Sequence, residues 1–133
     1  MASYATAMGR DPATIYRQVD LTSRTGGADG PALVQMLYEE LTRALRLAAW
    51  ATEHRQYALK SEKVTRATAI LFALESNLDF EKGGDVSITL ARLYAGSRRQ
   101  VIDASVGDDP APFRRIAADM DEIAAAWASV RRN

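Results

Sequence analysis

The sequence predicts an all-α fold, an antiparallel four-helix bundle with a short N-terminal helical segment. Three observations carry this expectation. Long stretches repeat apolar residues in alternating steps of three and four, which lays them along one face of a helix. Alanine is abundant and β-branched runs are absent, favouring helix over strand. Glycine and proline interrupt the pattern just often enough to leave room for four long helices joined by short corners.

The elements follow in order. Residues 1–14 are small and polar, with Gly9 and Pro12 as breakers, and are predicted to be a flexible N-terminus. Residues 15–133 are predicted to form a single helical-bundle domain. Its first piece, with Ile15, Tyr16, Val19 and Leu21, is amphipathic but too short to hold a helix unaided. A connector runs to Gly30, and Pro31 has the fixed φ suited to a first helical position. From there to Tyr57, the residues Val34, Leu37, Leu41, Ala44, Ala48 and Ala51 form one stripe. A corner is expected between His54 and Leu59, although no glycine or proline marks it. The next stripe is Val64, Ala67, Leu71, Leu74 and Leu78.

The corner that follows, Leu78-Asp-Phe-Glu-Lys-Gly-Gly-Asp85, organises the middle of the chain. Gly83 is expected to take the left-handed conformation that ends a helix, and Asp85 to cap the next one or to face its exposed N–H groups from the first turn. That helix carries Val86, Leu90, Leu93, Ser97, Val101 and Ala104 on one face. Gly107-Asp-Asp-Pro110 then breaks the chain, with Asp109 suited to capping and Pro110 to a first turn. Phe113, Ile116, Met120, Ile123, Trp127 and Val130 complete the last stripe.

Composition narrows the function. The chain of 133 residues has 17 basic and 17 acidic side chains, so no net field draws it to nucleic acid or an anionic membrane. It contains no cysteine, which excludes disulfides, thiolate catalysis and cysteine-based metal sites. No apolar run approaches the roughly 20 residues of a membrane span, and the N-terminus lacks the apolar core of a signal peptide. A cytosolic location without membrane insertion is the expectation. His54 is the single histidine, and no Glu-x-x-His pair offers di-iron ligands. Asp79, Glu81 and Asp85 do not follow the EF-hand spacing. Gly83-Gly84 lacks the Lys-Ser/Thr ending of a phosphate loop. The sequence therefore points to no enzyme, no metal and no cofactor.

The informative residues are apolar ones on the wrong face. Met36, Leu47 and Trp50 form a second line beside the core stripe of segment 31–57, interleaved with Arg43 and His54. Ile88 and Ile102 lie opposite the core face of their helix, with Ala91 and Ala95 between them, and Phe72 lies off its own stripe. Two readings fit. These residues pack against the N-terminal fragment or are ordinary surface apolars, or they line an extended groove for amphipathic segments of a partner.

In order, Tyr16-Arg-Gln-Val19, Pro31-Ala-Leu-Val-Gln-Met-Leu-Tyr38, Leu78-Asp-Phe-Glu-Lys-Gly-Gly-Asp85, Leu90-Ala-Arg-Leu-Tyr94 and Trp127 make the sequence resemble the flagellar export chaperone FliS family. The resemblance spans residues 15–130. It implies a cytoplasmic, flagellin-specific export chaperone. Such a protein binds the disordered C-terminal region of flagellin, prevents premature polymerisation and delivers it to the flagellar type III secretion apparatus, with an export-gate component as a further partner. It also implies that Tyr16 and Val19 belong to the partner-binding region. With them, Met36, Leu47, Trp50, Phe72, Ile88 and Ile102 form the candidate site, and Trp50 is the expected anchor. The rival is a regulatory helical-bundle adaptor whose ligand is another protein, such as an anti-sigma factor.

Overall fold

The computed structural model describes residues 30–132, and side chains as far as residue 129. The N-terminal expectations, including Tyr16, Val19, the flexible segment 1–14 and the short amphipathic segment, lie outside the described residues, as does the side chain of Val130. Among the described residues the fold consists of four helices: α1 (Gly30–Glu53), α2 (Tyr57–Ser76), α3 (Phe80–Ser105) and α4 (Ala111–Arg132). The connectors 54–56, 77–79 and 106–110 are short, so consecutive helices run antiparallel. α1 packs against both α2 and α4, and α2 against α3; the α3–α4 side is the most loosely closed.

Ion pairs mark the register. Glu40 meets Arg66 across α1–α2 at 2.9 Å, and Glu75 meets Arg98 across α2–α3 at 2.6 Å. Arg46–Asp121 and Glu53–Arg114 link α1 and α4 in opposite chain directions. All these pairs are at least partly exposed, so each orients more than it stabilises.

The core follows the predicted stripes. Leu37, Leu41, Ala44, Ala48 and Ala51 of α1 are buried, as are Ala67, Leu71 and Leu74 of α2 and Phe113, Ile116 and Met120 of α4. α1 is buried over a wider arc than its stripe, because it has neighbours on two sides; Tyr38, Leu45 and Ala49 are fully enclosed too. One assignment is corrected. Val86 is 65% exposed, and Ser87 takes the inward position instead. The Ser87 hydroxyl is satisfied there, donating to the Asp79 carbonyl at 2.9 Å.

Each corner has a local cause. α1 ends without glycine. Arg55 adopts φ 54°, the Gln56 N–H reaches the Ala51 carbonyl at 2.8 Å, and the Arg55 N–H reaches that of Thr52 at 3.4 Å. That pair of bonds is a Schellman motif built on an arginine. At the second corner the roles expected of Gly83 and Asp85 fall to their neighbours. Asp79 is the cap, its carboxylate accepting from the Lys82 N–H at 3.0 Å, and Gly84 has the positive φ (52°, with ψ −124°). Helix α3 thus starts one turn early and is kinked at Gly84. Gly83 is needed for space: a Cβ there would lie 2.0 Å from the Ser87 Oγ. At the third corner Asp109 accepts from the Ala111 N–H at 2.9 Å, as expected of a capping residue.

Candidate partner-binding surface

Polar groups tie the interior together. Tyr38 of α1 and Tyr94 of α3, both buried, share a short hydroxyl–hydroxyl hydrogen bond. Burial pushes the Tyr94 phenol far above its usual range, and the bond to Tyr38 pushes it the same way. Burial also raises Tyr38, opposed by its bond to Tyr94 and by the nearby Trp127 side chain. Both phenols therefore remain neutral, and the pair joins α1 to α3 without introducing charge. Among the described residues no group of three His, Cys, Asp or Glu side chains is arranged to hold a metal ion, and no helix is long and apolar enough to cross a membrane.

The candidate residues lie on the outside, in two places. Met36, Leu47 and Trp50 run along the face of α1 that points away from the core. Met36 is 36% and Trp50 45% exposed, while Leu47 is half-buried. His54 stacks on Trp50 with ring centroids 4.1 Å apart and planes 20° from parallel. Its Nδ1 lies 2.8 Å from the Trp50 carbonyl. A carbonyl can only accept, so Nδ1 carries the proton and the imidazole is fixed as a wall beside the indole. The tryptophan is thereby held in one orientation while nearly half of it stays exposed.

Phe72, Ile88 and Ile102 belong to the second surface, the seam between α2 and α3. They are 45%, 42% and 52% exposed. On α3, Ile88, Ala91, Ala95, Arg98 and Ile102 follow helical spacing along one line. Arg98 joins that line to α2: its guanidinium lies 5.8 Å from the centre of the Phe72 ring and holds Glu75 at 2.6 Å. The two alanines keep the floor low between the isoleucines. At its far end the seam opens into a hollow of about 320 Å³. Tyr57 and Val106 line that hollow and are 59% and 89% exposed.

The structure thus separates the predicted set: Phe72 and the two isoleucines share one seam, while the α1 line stands apart. Four exposed apolar residues were missed by the sequence reading: Tyr57, Phe80, Val86 and Val106. Phe80 opens α3 and Val106 follows its last residue, while Tyr57 opens α2. Apolar residues at helix ends, beyond the reach of a neighbouring helix, were the available signal.

A helical bundle with apolar lines on its outer faces has the architecture of a protein-binding module. Comparison with known proteins gives the family. The chain matches the family model described as flagellar protein FliS over residues 12–133. It is 28% identical over 116 residues to the flagellar secretion chaperone FliS of Salmonella typhimurium, covering 86% of each chain. It is 29% identical over 112 residues to that of Vibrio cholerae, covering 84% of this chain and 82% of the relative. The Bacillus subtilis protein of the same name is 25% identical over 118 residues, covering 89% and 84%. The chain belongs to the FliS family of flagellar secretion chaperones.

Proposed function

We propose that this protein is a flagellin-specific export chaperone, a single bundle domain over residues 15–133 acting in the cytosol. It binds the disordered C-terminal region of flagellin, keeps it from polymerising, and hands it to an export-gate component of the flagellar type III secretion apparatus. The observation that carries this reading is the α2–α3 seam, an apolar line from Ile88 past Phe72 and Ile102 that no further described helix covers. A segment that folds into short helices as it wraps the bundle would bury about 1,000–3,000 Å² in this mode. Ordering that segment offsets part of the gain, which keeps the complex releasable. Met36, Leu47 and Trp50 offer a second contact line, and Tyr16 and Val19 belong to the same proposed region.

Calorimetric titration with the C-terminal segment of flagellin from the same cell tests the reading, with circular dichroism of the mixture. Saturable 1:1 heat and a gain in helix are expected. No heat at several temperatures, with the domain folded and the peptide intact, would remove flagellin as the ligand.

A further inference from the structure

We propose that the hollow at the end of the α2–α3 seam is a carboxylate site, and that its occupant is the free C-terminal carboxylate of the flagellin segment lying along that seam. This rests on the flagellin-binding reading above. Lys60, a residue of the first turn of α2, is only 6% exposed and lines the hollow. Its ammonium donates one hydrogen bond, to the Gly107 carbonyl at 2.6 Å. Among the described residues no Asp or Glu forms an ion pair with it.

A buried ammonium ordinarily requires a counter-charge. Gly107 supplies only the partial negative charge found at a helix C-terminus, and it uses one of three N–H donors. Two donors remain for a ligand. The surroundings suit a chain end. The hollow, about 320 Å³, has room for about ten waters. Tyr57 and Val106 offer apolar surface for a last side chain, and Ser61 and Thr65 bring hydroxyls.

Position selects the terminus over an acidic side chain. Helix α2 begins and α3 ends at this point, so the seam stops here. A segment running from Ile88 past Ile102 therefore brings its end to Lys60. Asp108 also lines the hollow, is exposed, and makes no ion pair with Lys60. Its carboxylate repels an incoming anion, and so its removal has a predictable sign.

The test is calorimetric titration of the full chain with two synthetic flagellin C-terminal segments, one ending in a free acid and one in an amide. The amide is expected to bind about tenfold more weakly, as befits the loss of one charge-assisted contact. Lys60→Gln keeps a donor for Gly107 and is expected to bind both forms alike, at the affinity of the amide. Asp108→Asn is expected to tighten the acid form a few-fold and leave the amide unchanged. Equal binding of acid and amide by the unaltered protein overturns the carboxylate site, whatever the variants do, and leaves the flagellin reading standing. Binding of neither form by a folded chain removes both.

Discussion

The Tyr38–Tyr94 pair gives a prediction whose size follows from counting partners. Each hydroxyl is buried and bonded to the other. Tyr38→Phe strands the Tyr94 hydroxyl, and Tyr94→Phe strands that of Tyr38. Each change is expected to cost about 1–3 kcal/mol, the penalty for one unsatisfied buried group. The double variant strands neither. It is therefore expected to lose less than the sum of the single changes, with a coupling of about 1 kcal/mol or more. Urea unfolding followed by circular dichroism measures all four corners of the cycle. With an m-value of about 2 kcal/mol/M, Tyr38→Phe moves the midpoint by about 0.5–1.5 M. Additivity of the two changes within about 0.5 kcal/mol, at unchanged m, would refute a shared network.

Further outcomes follow from the same structure. Trp50→Ala is expected to weaken binding of the flagellin C-terminal segment by more than about 1 kcal/mol while leaving helicity unchanged; melting of the domain instead would put Trp50 in the core. Arg55→Gly relieves the left-handed backbone at the end of α1 and is expected to stabilise by about 0.5–1 kcal/mol in a thermal melt. A destabilised variant would mean that the arginine side chain outweighs its backbone strain. Alkaline stability tests the phenols. Unfolded tyrosines ionise at about pH 10, whereas Tyr38 and Tyr94 are raised in the fold. Their contribution is therefore complete below about pH 10 and is lost as the pH climbs through the folded values. The tyrosinate absorbance contributed by Tyr38 and Tyr94, read as the difference from their phenylalanine variants, should appear only above the usual phenol range while the protein stays folded. Ionisation of the pair at about pH 10 without unfolding would contradict their burial.

What the sequence reveals and conceals divides along physical lines. A stripe is an average over many turns, so the four helices and most of the core were legible even where one position was misjudged. Leu90 has both Val86 and Ser87 one turn before it, and spacing alone does not choose between them. The choice depends on the Asp79 carbonyl within reach of Ser87, and on the kink at Gly84. The glycine pair is a similar case. A sequence shows that the corner needs unusual backbone, but not that Gly84 supplies the positive φ while Gly83 makes room for Ser87. Arg55 gave no sign at all, because its conformation is imposed by the two helices it joins.

The exposure of the candidate residues was legible for a related reason. Met36, Trp50, Phe72, Ile88 and Ile102 lie where rotation about the helix axis decides exposure, and all five are exposed. Tyr57 and Val106 lie where a neighbouring helix ends, and there rotation decides nothing. The buried Tyr38–Tyr94 contact spans 56 positions and could be seen only once the chain had folded. These two kinds of residue also separate the protein's two tasks. The inner tyrosine pair fixes α1 and α3 in one register, and the outer apolar lines take no part in it. Substitutions at Phe72 or Ile102 are therefore expected to change binding more than folding, and those at Tyr38 the reverse. A bundle whose core is already satisfied can leave apolar surface uncommitted without losing its fold, and that is the physical requirement for holding another chain temporarily.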